Sequence, residues 1–170
     1  MALRCPICRT PHVNLKGNPL TVLKATPVAL ARLVRRTSPR LFARRPRRGE
    51  WSSRQVLAHL ADAELANGFR IRKILSESRP RLTAFDQNAW ARALRYSRRN
   101  PHQLLSAFRA LRKSNLVILQ PWSRPRRSRV GVHTEHGPIR LEQLVAHLAD
   151  HDLNHLSQMR QNLRSLARDR

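Results

Sequence analysis

Apolar residues recur at intervals of three and four along most of the chain, the period of helices that bury one face, and strict alternation is rare. The last stripe is the longest. With each residue turning by about 100°, Leu141, Leu144, Val145, Met159, Leu163 and Leu166 fall within about 60° of Leu148, which predicts a helix over about 140–168. Ser52 followed by Gln55 forms a capping box that opens a second helix, carried by Val56, Leu60, Asn67, Ile71 and Ile74 to about Ser78. Asn100 and Pro101 open a third, with Leu104, Leu105, Phe108, Leu111, Leu116 and Leu119 on its apolar face, ending before Pro121.

For the first helix the expected start is Thr26 as N-cap with Pro27 at the first helical position, running through Leu30, Leu33 and Val34 to about Arg36, with 20–25 as a possible extension. Residues 37–50 read as a loop, and AFDQNAWARAL as a short helix containing Trp90. The stretch 121–138, rich in arginine and proline, reads as a long irregular connection. Four long amphipathic helices and no repeat predict an all-α protein, a four-helix bundle with long interhelical connections. Residues 1–19 are expected to be an irregular leader and 20–170 one domain.

Composition agrees. The 170 residues include only 5 glycines and 5% aromatics, with 41% hydrophobic content, enough for a single core. Lysine and arginine total 34 against 10 acidic residues, a formal charge of +24, and the only lysines are Lys16, Lys24, Lys73 and Lys113. Such a field attracts nucleic acid or other anions, whereas genome base composition can also produce an arginine-rich solvated surface that binds nothing. No run approaches the roughly 18 apolar residues of a membrane helix, and the N-terminus lacks a secretory apolar core, so a cytoplasmic protein without membrane contact is expected. Cys5 and Cys8, in CPIC, are too close to staple a fold; with His12 they offer three donors of a zinc knuckle that lacks a fourth, so a leader without metal is the simpler reading.

The candidate chemistry lies in the histidines. His151 and His155 stand four apart inside the last apolar stripe, one turn above the other, where two imidazoles can reach one ion. His59, at about 100° from Leu60 on the second helix, is the expected third ligand at the margin of its stripe. His147 lies at about 100° from Leu148 and is the weaker third donor. Glu64 and Asp152 each project about 40° from the centre of a buried stripe, a costly position for an unpaired carboxylate. Either serves as a hydrogen-bond acceptor behind a ligand imidazole or as a general base, or else both belong to a buried ion pair with an arginine such as Arg70 or Arg112. Asp62 and Asp150 point away from the stripes and are expected to be solvated.

The segments GEWSSRQVLAHLADAE (49–64), FDQNAW (85–90) and GVHTEHGPIRLEQLVAHLADHDLNHLSQM (131–159) resemble the DinB-like superfamily, and the resemblance covers about residues 20–166. It implies a four-helix bundle holding one divalent metal ion (nickel, zinc, iron or manganese) on three histidines, which map onto His59, His151 and His155. It also implies a small-molecule substrate, hydrolase activity or transfer to a low-molecular-weight thiol, and a homodimer. Residues 1–19 and Arg140, where a Ser or Thr cap often opens the last helix, depart from the pattern. The arginines of 121–129 are the candidate contacts for an anionic thiol or acid substrate. Two further function classes stay open: an electrostatic nucleic-acid binder, and a metal-binding bundle without catalysis.

Overall fold

The computed structural model describes residues 17–168; Cys5, Cys8 and His12 lie outside the described residues. Four long helices carry the fold, α1 (Pro19–Arg36), α3 (Ser53–Ser76), α5 (Pro101–Ile118) and α7 (Leu141–Arg168). Between them come the short helices α2 (Pro39–Ala43), α4 (Gln87–Ala93) and α6 (Arg124–Arg127), and the strands β1 (Arg81–Leu82), β2 (Val130–His133) and β3 (Gly137–Arg140). The architecture is the expected four-helix bundle. Among the described residues no helix is long and apolar enough to cross a membrane.

Cap chemistry sets the helix starts. Ser52 Oγ accepts the Gln55 N–H at 3.3 Å and Gln55 Oε1 accepts the Ser52 N–H at 3.2 Å, so both halves of the capping box form. Asn100 caps α5 by accepting from His102 and Gln103. α1 opens eight residues before Pro27, at Asn18–Pro19, with Asn18 Oδ1 accepting the Leu20 N–H at 2.9 Å. Asn18–Pro19 and Thr26–Pro27 carry the same cap-plus-proline signal, and the earlier one wins. Pro27 therefore sits inside a helix, where it cannot donate to the Leu23 carbonyl. Arg112 of α5 donates to that carbonyl instead, at 2.9 Å, and Thr26 Oγ1 donates to Val22 O at 3.0 Å. In the 37–50 segment, expected to be a loop, Ser38 and Pro39 start α2, which buries Phe42. Arg140 supplies no capping oxygen to α7; Gln143 Oε1 accepts its N–H at 2.9 Å, which preserves half of the capping box.

The connection before α7 is more ordered than expected. β2 and β3 form an antiparallel hairpin, and β1 joins β2 in parallel, giving a three-stranded sheet in the order β1-β2-β3. A four-residue strand is too short for alternation to announce itself, though Val130–His133 does alternate in burial. Two of the four arginines in 121–129, Arg126 and Arg129, serve helix ends. Arg129 donates to Ile74 O at 2.6 Å and Glu77 O at 2.8 Å, and Arg126 to Ile118 O at 2.8 Å, satisfying carbonyls that α3 and α5 leave open.

The apolar core has two halves. One gathers Leu30, Phe42, Leu57, Tyr96, Phe108 and Met159, the other Leu23, Ile74, Leu119, Ile139, Leu144 and Leu148. Between them in every long helix lies a polar layer centred on Arg112, which is 1% exposed. Arg112 takes Asp152 of α7 in two bonds, 2.7 and 3.2 Å, and Glu64 of α3 at 2.7 Å. Asn115 donates to Glu64 Oε1 at 2.8 Å and accepts from Arg72 at 2.7 Å. α3 and α5 approach closely at Gly68, where a Cβ would lie 2.6 Å from the Asn115 amide. Because hydrogen bonds hold that amide, Gly68→Ala is expected to cost about 1–3 kcal/mol of overpacking, against about 1 kcal/mol gained in helix propensity. Urea denaturation would show the net loss; a more stable variant would mean that Asn115 is free to move.

Candidate metal centre

His59 on α3 and His151 and His155 on α7 meet where the two helices pack. His59 Nε2 lies 3.0 Å from His151 Nε2, and His155 Nε2 lies 3.2 Å from the same atom. The three rings meet edge-on, at 61°, 70° and 81°. A tetrahedral ion with nitrogen ligands at about 2.0–2.1 Å sets those nitrogens about 3.3 Å apart, close to what is observed. His151 Nε2 offers one proton or one lone pair, so it satisfies only one of its two nitrogen neighbours by a hydrogen bond. A cation takes all three lone pairs.

The outer edges of the rings support that role. His155 Nδ1 lies 2.8 Å from Gln158 Oε1; donating there leaves the His155 lone pair on Nε2, aimed at its companions. His59 Nδ1 is buried with no hydrogen-bond partner. The His59 ring packs on Trp51, centroids 5.2 Å apart, which explains why a residue expected at the margin of its stripe is 2% exposed. Burial, aided by His155, lowers the His59 pKa to about 3. His151 is pushed well below the usual imidazole range by burial and by the surrounding His155, His59 and His147, and His155 is lowered by burial. All three are thus neutral at neutral pH, the form that binds a metal. The donor set fits one divalent ion.

The structure brings these three histidines together and sends the two carboxylates elsewhere. Glu64 and Asp152 both pair with Arg112 in the polar layer, and among the described residues the group around His151 contains no carboxylate. Burial raises Asp152 despite the attraction of Arg112, while the two carboxylates outweigh burial and hold Arg112 charged. His147 stands one turn before His151, ring centroids 5.8 Å apart, beside the site. Asp62 and Asp150 are not solvated: Asp62 pairs with Arg99 at 3.4 Å, and Asp150 is buried and accepts from Asn154 at 3.2 Å. An angle measured from one stripe misjudges a helix such as α7, which packs against α1, α3 and α6.

The sequence model of the DinB superfamily matches residues 23–159, a span that holds all three histidines and the polar layer. The chain belongs to the DinB superfamily. Among relatives of this DinB-superfamily chain, the Oceanobacillus iheyensis protein named "Putative metal-dependent hydrolase OB0782" is 30% identical over 112 residues, covering 65% of this chain and 64% of its own length. The Halalkalibacterium halodurans protein named "Putative metal-dependent hydrolase BH0277" is 26% identical over 119 residues, 69% of this chain and 68% of its own. The DinB-superfamily chain thus spans about two thirds of the length of these relatives. Its fold is shared with YfiT from Bacillus subtilis, at a TM-score of 0.80 and 23% identity over 86% of this chain and 84% of that one. The four-helix bundle protein TT2238 matches at a TM-score of 0.57 and 20% identity, over 84% and 96%.

A second histidine group in this DinB-superfamily chain was missed in the sequence, although HTEH displays it: His133, Glu135 and His136 on the β2–β3 turn. The two rings stack at 4.6 Å, and His133 Nδ1 accepts the Glu135 N–H at 3.2 Å. Burial and the positive charge of Arg70 lower the His133 pKa to about 4. A resident guanidinium makes this a poor place for a cation.

Proposed function

We propose that the chain is a metal-dependent hydrolase of a small-molecule substrate, with one divalent ion held by His59, His151 and His155. The observation that carries the reading is the convergence of three neutral imidazoles, with the Nε2 atoms of His59 and His155 both within hydrogen-bonding distance of His151 Nε2, a set that no proton arrangement satisfies fully. The names of the relatives as metal-dependent hydrolases support it. When bound, the ion supplies Lewis acidity. The chain's own residues do the rest: Gln158 fixes the His155 ring, Trp51 keeps water from the His59 side, and His147 is placed to carry a proton to or from the site. Glu64 and Asp152, held by Arg112, contribute by holding α3 and α7 rather than by proton transfer.

Stripping the purified protein of metal and titrating it calorimetrically with nickel, zinc, iron(II) and manganese is expected to show one tight site per chain for at least one of them. The loaded protein should hydrolyse activated carboxylic or phosphate esters faster than the stripped protein. Uptake of none of these ions would remove the reading. The resemblance also points to transfer onto a low-molecular-weight thiol; a rate that requires added thiol would assign that chemistry in place of hydrolysis.

A further inference from the structure

Beside the triad lies a cavity of about 620 Å³, a size that suits a small molecule. Its lining includes Arg45, Arg92, Arg95 and Arg98, with Trp51 and Gln55, and no carboxylate. Trp51 is the wall shared with the triad, since its ring also packs on His59 at 5.2 Å, and Gln55 lies one helical turn before His59 on α3. The cavity and the three imidazoles are therefore neighbouring compartments on the same helix.

The arginines are brought together by backbone geometry. The Arg95 N–H donates to Arg92 O at 3.2 Å and the Arg98 N–H to Arg95 O at 2.9 Å. Two tight turns in succession keep the three arginines within seven residues of chain, all lining the same cavity. Arg95 itself is in the left-handed region, φ 49° and ψ 52°, a sparsely populated conformation for a residue with a side chain. Arg54 donates to Ser97 O at 2.9 Å and ties this turn to α3. Arg99, next in the chain, has Asp62 as its partner, whereas among the described residues none of the four cavity arginines makes a salt bridge. The charge of Asp86 reaches Arg92, but its Oδ1 is engaged by the Asn88 and Ala89 N–H groups at 2.8 and 3.0 Å. Like charges collected around a concave volume, with no carboxylate in its lining, create a positive potential that a bound anion relieves.

We infer that this cavity binds the anionic group, carboxylate or phosphate, of a small-molecule substrate whose reacting end lies at the histidine triad. The inference rests on the metal-dependent reading for its link to catalysis, but the anion site itself does not need the ion.

The test uses the full chain, metal-free and metal-loaded, titrated at 150 mM salt with inorganic pyrophosphate and separately with succinate, read by calorimetry and tryptophan fluorescence. One saturable site per chain is expected in both forms, and the tighter probe distinguishes phosphate from carboxylate. The Arg92→Gln/Arg98→Gln double variant should bind at least tenfold more weakly. Arg32→Gln/Arg36→Gln, which removes the same charge from the exposed face of α1, should bind as the parent does. Equal weakening in both double variants, or no saturable binding of either probe, would overturn the inference. So would tight binding of a single-stranded oligonucleotide where both small anions fail. Metal content measured on the same samples separates the two readings: pyrophosphate binding without metal uptake sinks the triad alone, and metal uptake without anion binding sinks the cavity alone.

Discussion

Arg112→Met is expected to destabilise the protein by about 3–5 kcal/mol, the range for removing one member of a buried charge network. Methionine fills much of the volume, so the loss is electrostatic. Glu64 and Asp152 would each lose their cation in a layer with almost no access to water, and the Leu23 carbonyl would lose the donor that stands in for the missing Pro27 N–H. Against a typical domain stability of 5–15 kcal/mol, a deficit of this size leaves a marginal fold. Urea denaturation at pH 7 measures it. Adding Glu64→Gln and Asp152→Asn to Arg112→Met should recover part of the deficit, because neutral amides bury more cheaply than unpaired carboxylates. A loss below about 1 kcal/mol for the single variant would show that water reaches the layer.

The second large effect concerns the metal. The His151→Ala/His155→Ala variant is expected to fall from one ion per chain to essentially none, because a lone His59 cannot hold a first-row ion at useful strength. At a thousandfold excess over the dissociation constant, a ligand bound only by the folded state adds about 4 kcal/mol, a rise on the order of 10 °C in melting temperature for a chain of this size. The parent should show that rise with its preferred metal and the double variant should not. Stripped of metal, the two should melt alike to within about 1 kcal/mol, since three desolvated imidazoles facing one another stabilise little by themselves. A double variant much less stable than the stripped parent, with no metal-induced rise in either, would assign the cluster to packing.

The bundle was legible because every long helix carries a 3.6-residue apolar period, joined in α3 and α5 by a strong cap, and the histidines because an i, i+4 pair within a buried stripe is hard to explain otherwise. The errors have local causes. Thr26–Pro27 imitates a helix start, yet the proline is tolerated mid-helix because a residue 85 positions along the chain, Arg112, replaces the missing donor. That substitution is non-local, and no window of sequence displays it. The strands β2 and β3 are four residues each, shorter than their pattern needs to stand out. Glu64 and Asp152 were visible as misplaced charges, but choosing between metal support and an ion pair required knowing which face of α5 turns inward. The cavity arginines were hidden because in a chain with 34 basic residues no single arginine signals anything.

The polar layer also dictates how far along one another the helices may slide. Glu64 follows His59 by five residues, and Asp152 is the immediate neighbour of His151. Sliding α7 past α3 by a turn, about 5.4 Å, would strand Asp152 among the leucines of one core half, so the guanidinium between them admits a single axial alignment. The same alignment sets the His59 ring opposite His151. One arginine outside the three-histidine cluster thereby acts as the vernier for it, and variation in the apolar halves can be absorbed without moving the imidazoles apart.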